Sequence, residues 1–188
     1  MKGALVVLGI VVLVVLIFGG QLMGQRNQLV TEKNEIDARW AQVDNDMKRR
    51  ADLIPNLVET VKGYAKQEQS VIGEVANARA ALLGAQTRED KINANNQLSG
   101  ALGRLLVLQE NYPQLKSNEN FLRLQDELAG TENRIAVDRR DYNEAIKRYN
   151  TDVELFPKNI AASIFGFQRD NAYFQTSAEE KKVPQVKF

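Results

Sequence analysis

The chain has 188 residues, with 25 Lys or Arg against 24 Asp or Glu, and it contains neither cysteine nor histidine. That length holds one domain plus an anchor, and the balanced charge lacks the basic face that displaces counterions from phosphates, so no nucleic-acid partner is expected. Without cysteine there is no disulfide, thiolate nucleophile or lipid-modified N-terminal cysteine; without histidine the usual general base, metal ligand and physiological pH switch are all missing.

Residues Gly3 to Gly20 read GALVVLGIVVLVVLIFGG with no polar side chain, and Leu22 and Met23 extend the run past Gln21. About 20 residues rising about 1.5 Å each cross a hydrocarbon core of about 30 Å. Residues 1–24 are therefore expected to be a transmembrane anchor, with Gly3, Leu5, Val11, Phe18, Gly20 and Met23 in lipid. The rival is a cleaved signal peptide, which wants small residues one and three positions before the cut. Here Gly19 pairs with Ile17, Gly20 with Phe18 and Gly24 with Leu22, which favours a retained anchor. Lys2 stands alone before the run, while Arg26, Lys33 and Arg39 follow it among Glu32, Glu35 and Asp37. That count leans the C-terminal domain toward the cytoplasm. Gly20 and Gly24 make a GxxxG pair, read here as a feature of the membrane edge before a dimer seam.

Beyond Gly24 the apolar residues keep helical time. Ile36, Trp40, Val43, Met47, Ala51, Ile54, Val58, Val61 and Ala65 alternate spacings of four and three, a heptad-like stripe that passes Pro55 without losing phase. A kinked but continuous helix is predicted there, prolonged by Ile72, Val75 and Leu82 toward Gly84. Thr87 with Asp90 marks the start of a second helix, with Ile92, Leu98, Leu102, Leu105 and Leu106 as its buried side and Tyr112-Pro113 as its end. Asn118 caps a third, striped by Phe121, Leu124, Leu128, Thr131, Ile135, Tyr142, Ile146, Tyr149, Val153 and Phe156 and stopped by Pro157. A short helix over residues 158–165 ends at Gly166, and residues 177–188 form a polar tail. No alternating run bounded by hairpin turns is present. The expected class is all-α: an N-terminal transmembrane helix, then an antiparallel long-helix bundle of about four helices over residues 25–176. Some stripe positions are expected to pack against partner chains.

Chemistry is sparse. Asp126-Glu127 and Glu179-Glu180 are sequence neighbours, which point in different directions on a helix and make no ready acid/base pair. The isolated glycines follow no strand, so no phosphate cradle is expected. Lys48-Arg49-Arg50 and Arg139-Arg140 either attract an acidic partner or lipid headgroups, or form salt bridges with nearby Asp residues; the second is favoured. Asn56, Asn133, Asn143 and Asn150 are read as interior register-fixing amides before ligand sites. Phe165, Phe167, Tyr173 and Phe174 are read as a packed end before an interaction surface.

Three ordered blocks, RRADLIPNLVETVKGYAKQE (residues 49–68), NYPQLKSNENFLRLQDELAGTENRIAVDRRDYNEAIKRYN (residues 111–150) and FPKNIAASIFGF (residues 156–167), closely resemble the LemA family. The resemblance implies a bacterial inner-membrane protein with one span, a short amino terminus outside the cytoplasm and a helical-bundle domain. It implies no established enzymatic activity and no cofactor. It singles out Arg49, Arg50, Asp52, Pro55, Asn56, Asn133, Arg134, Tyr142, Asn143, Tyr149, Asn150, Pro157 and Gly166, with structural or interaction roles and no catalytic one. Members are often encoded near membrane proteases or envelope-stress proteins. The expectation is a non-enzymatic, membrane-anchored scaffold that self-associates on lipid as a homo-oligomer. The alternative is an adaptor for a membrane or envelope protein such as a protease, with Lys48, Arg49, Arg50, Arg139 and Arg140 on one exposed face.

Overall fold

A computed structural model describes residues 2–65 and 67–175; the expected tail, 177–188, lies outside the described residues. Among the latter there are helices and no strands: α1 (Lys2–Tyr64), α2 (Gln69–Gly84), α3 (Arg88–Val107), α4 (Pro113–Lys116), α5 (Glu119–Glu154) and α6 (Lys158–Phe165), with a 3₁₀ turn at Leu108–Asn111. The described residues divide into two compact units, one of residues 2–40 and 141–173 and one of residues 41–65, 67–140 and 174–175. The all-α expectation holds.

In the first unit, α1 begins as the apolar run. It is long and apolar enough to cross a membrane and none of that window is buried; Leu5, Val11 and Phe18 are 68 %, 52 % and 52 % exposed. Helix is the form that satisfies every backbone group internally in lipid. The helix then becomes amphipathic without a break, burying Leu29 and Ile36. The second half of α5 lies antiparallel to it, since Arg148 reaches Glu35 at 3.2 Å while Arg39 reaches Asp141 at 3.8 Å. Tyr142, Ala145, Ile146 and Tyr149 are its buried face. Trp40 packs on Tyr142 with ring centroids 5.4 Å apart. Past a cis Phe156–Pro157 bond, α6 ends at Gly166, whose φ of 74° is the left-handed cap that glycine adopts most readily.

In the second unit, α1 residues 41–64, α2, α3 and the first half of α5 make an antiparallel four-helix bundle. The pairings fix the directions. Asp44 with Lys91 (2.5 Å) and Arg50 with Ser99 (2.9 Å) make α1 and α3 parallel. Asp46 with Arg134 (3.6 Å), Arg50 with Glu132 (2.6 Å) and Tyr64 with Asn118 (3.0 Å) make α1 and α5 antiparallel. Thr87 and Asn118 cap as expected, accepting from the N–H groups of Asp90 and Phe121 at 3.1 and 3.0 Å.

The predicted long first helix needs correction. It runs through Pro55 but stops at Tyr64, and a tight turn with Glu68 N–H on the Ala65 carbonyl (3.1 Å) leads into α2. The apolar phase survived because the hairpin turns Ile72 and Val75 back onto the same core. Of the α1 stripe, Ile36, Val43, Met47, Ala51, Ile54, Val58, Val61 and Ala65 are buried within the chain, and Trp40 is half-buried. At the end of the α5 stripe, Phe156 is 78 % exposed because Pro157 ends the helical register before it.

Candidate functional site

Polar side chains gather at the membrane-proximal end of the first unit. Glu32 sits on α1 in the same stripe as Leu29 and Ile36, a charge at a core position. Its side chain is 15 % exposed, and Lys158 Nζ donates to its Oε1 at 3.3 Å. The same ammonium pairs with Asp152 in the last turn of α5. Lys158 begins α6 and Asp152 nears the end of α5, so each stands where the helix dipole disfavours its sign; the mutual ion pair offsets both. Glu32 Oε2 is buried and accepts no hydrogen bond. Burial first, then the hydrogen bond and charge of Asp152, push the Glu32 carboxyl up to about 7, against the opposing pull of Lys158. A proton on Oε2, donated to Asp152, gives that buried atom a partner. For Asp152, burial acts upward but bonds from Glu32 and Lys158 outweigh it and hold the carboxyl below its usual range.

Two and three residues before Asp152 on α5, Asn150 and Tyr149 clamp the segment after α6. Asn150 Oδ1 accepts from Asp170 N–H at 2.9 Å, while its Nδ2 donates to the Asp170 carbonyl at 2.7 Å and to Tyr173 Oη at 3.0 Å. Tyr149 Oη donates to the Gln168 carbonyl at 2.9 Å. Burial, then the charges of Asp170 and Glu32, raise the Tyr149 phenol above its ordinary value. Two adjacent side chains thus satisfy three backbone groups, at Gln168 and Asp170, of an extended strip that has no ladder of its own.

In the second unit, Arg50 is 5 % exposed. Its Nη1 pairs with Glu132 at 2.6 Å and donates to Ser99 Oγ at 2.9 Å, with the Asn95 amide oxygen at 3.4 Å. Burial, aided by Arg139, lowers the guanidinium pKa, and Glu132 opposes. Arg79 of α2 donates Nε–H to the Ala51 carbonyl at 2.7 Å. A shallow groove of about 620 Å³ between α2 and α3, floored by Ala78, Ala81, Gly100 and Ala101, has Glu74 tied to Arg104 at its rim; its lining offers no nucleophile with a base beside it. Among the described residues, no group of three or more acids is placed to hold a metal ion.

Of the residues singled out by sequence, the structure brings together Tyr149 and Asn150 in the clamp and places Arg50 and Tyr142 in the interior. Asn143 is half-buried; Arg49, Asp52, Pro55, Asn56, Asn133, Arg134, Pro157 and Gly166 are exposed. The interior amides are thus Asn150 and the unforeseen Asn95, not Asn56 or Asn133. The single exposed basic face is also corrected: Lys48, Arg49 and Arg140 are exposed, but Arg50 is buried and Arg139 is half-buried over the Phe174 ring at 4.7 Å. Phe174 is packed, whereas Phe165, Phe167 and Tyr173 are half-buried. Glu32, Asp152 and Lys158 escaped notice, although a glutamate in phase with Leu29 and Ile36 was a visible signal.

A long apolar helix that fits a single-pass anchor, continued into all-helical packing, defines a membrane-associated α-helical protein. The chain matches the LemA family over residues 39–188 and belongs to it. It is similar to magnetosome protein MamQ 2 of Paramagnetospirillum magneticum, 29 % identical over 87 % of this chain and 70 % of that protein. It is 25 % identical to magnetosome protein MamQ of Magnetospirillum gryphiswaldense, over 95 % of this chain and 76 % of that protein. It is 24 % identical to protein LemA of Metamycoplasma hominis, over 90 % and 78 %. The family match and the apolar helix together fit a membrane-associated protein.

Proposed function

We propose that this protein is a non-enzymatic scaffold of the bacterial inner membrane, with its bundle on the cytoplasmic side, that self-associates and organises membrane or envelope components. The observation that carries this reading is the continuity of α1, in which the apolar span runs into the amphipathic stretch with no linker between them. What the helical packing of the first unit binds is thereby held close to the lipid. Names that state no reaction, and polar clusters committed to ion pairs and backbone clamps, support a structural role. Surfaces open to a second copy include the bare span, with Gly20 and Gly24 open along it, and the groove between α2 and α3. Sedimentation of the detergent-solubilised full chain tests the reading: a concentration-dependent oligomer is expected, and a monomer at high concentration rejects self-association. The adaptor alternative keeps Lys48 and Arg49 as exposed cations on α1. Charge reversal at that pair would then abolish partner pull-down while leaving the helices folded.

A further inference from the structure

The corner from the end of α5 through α6 leaves Leu155, Phe156 and Ile164 59 %, 78 % and 60 % exposed. We propose that these three side chains dock into the headgroup layer of the bilayer that α1 crosses, a second membrane contact beside the span. The inference rests on the reading of α1 as a membrane anchor.

Position is the argument. Arg148 lies beside Glu35, and α5 runs antiparallel to α1 in this unit. Six residues on from Arg148, Glu154 ends α5 about 9 Å nearer the span, level with Leu29 on α1, and Leu155 and Phe156 follow it. At the far end of α6, Phe165 lies under Arg26, guanidinium carbon 5.7 Å from the ring centroid. Leu29 lies five residues and Arg26 two residues beyond Gly24, so the corner falls within about 8 Å of the end of the apolar run. The headgroup layer on each side of a bilayer is about 5–8 Å thick. Aromatic and aliphatic side chains at that depth exchange water for the acyl boundary, while Arg26, over the Phe165 ring, keeps its charge near the phosphates. A protein partner would have to displace lipid from the same layer, so lipid is the occupant the position favours.

The chain has no cysteine, so single replacements give unique labelling sites. Nitroxide labels at L155C, F156C and I164C, in full-length protein reconstituted into phosphatidylcholine vesicles, are compared with labels at V11C in the span and N34C, ten residues beyond Gly24 on the exposed side of α1. The corner labels are expected to gain collisions with oxygen and to lose, several-fold against N34C, collisions with a water-soluble nickel chelate. Corner labels as open to nickel as N34C, with V11C in lipid, overturn the docking alone. Corner labels shielded from both reagents mean a protein cover and also overturn it. A V11C label open to nickel removes the anchor and the docking together.

Discussion

Arg79 donates its Nε–H to the backbone carbonyl oxygen of Ala51, at 2.7 Å. Ala51 is four residues before Pro55, whose ring nitrogen has no hydrogen to offer that carbonyl. A side chain on α2 therefore supplies the hydrogen bond that the proline removes from α1, which is how the helix carries Pro55 in its interior. Arg79→Ala should cost about 1–2 kcal/mol, since it leaves a carbonyl unpaired in a partly buried seam. In a Pro55→Ala background the restored N–H answers Ala51, so the same replacement should cost less. The difference, a coupling of about 1 kcal/mol, is measurable by denaturant unfolding as a double-mutant cycle. Equal costs in both backgrounds would show that Arg79 does not replace the missing donor.

Much of the fold was legible because its signals are local. Thr87 and Asn118 cap within three residues, Gly166 terminates α6, and the apolar period of α5 is read directly from its burial. The break at Tyr64 was not legible, because a hairpin that folds two stripes onto one core preserves their phase. The polar partners were hidden for a related reason. Pro55 announces an orphan carbonyl at Ala51, but nothing local says that Arg79 fills it, and Lys158 meets Glu32 across 126 positions. Arg50 is the sharpest case: in a run of three basic residues at three successive helix angles, one turns inward, and the charges alone do not say which.

That inward arginine makes Glu132 more important than its own exposure of 42 % suggests. Glu132→Ala leaves a buried guanidinium with neutral partners only and should cost about 2–3 kcal/mol. Replacing Arg50 by Met together with Asn95 by Leu removes the buried charge and its neighbouring amide at similar volume, and should cost less. Chemical denaturation ranks the two; the reverse order would mean that Glu132 contributes little to holding the arginine.

Asn150 is the hinge pin of the segment after α6. Asn150→Ala deletes three hydrogen bonds and should cost about 2–3 kcal/mol, each bond being worth about 1 kcal/mol. Tyr149→Phe, which removes the one bond to the Gln168 carbonyl, should cost about 1 kcal/mol. Limited proteolysis gives a local readout. Cleavage between Phe167 and Tyr173 should accelerate in the Asn150 variant well before global unfolding, and an unchanged cleavage rate would mean that other contacts hold the strip.

Glu32 gives the fold a pH dependence in the neutral range. Its carboxyl is raised from 4.5 to about 7 by burial and by Asp152, against Lys158. A group that binds its proton more tightly when folded contributes stability that is complete below its unfolded pKa and is lost as pH rises through the folded one. Between pH 5 and 8 this contribution should therefore fall. Asp152, held low, loses its own contribution only in acid, below the carboxylate range, and Lys158, raised above 10.5, only in strong base, so neither masks the slope. One pKa unit corresponds to about 1.4 kcal/mol, and partial access of water screens the cluster, so a loss of about 1–2 kcal/mol is expected. Glu32→Gln mimics the protonated form: its amide can donate to Asp152 while its oxygen accepts from Lys158. The variant should match the wild type at pH 5, exceed it at pH 8, and remove the Glu32 part of the slope between them. Thermal unfolding across that range decides the matter, and a wild type whose stability rises with pH at the same rate as the variant's would remove the shared proton between Glu32 and Asp152.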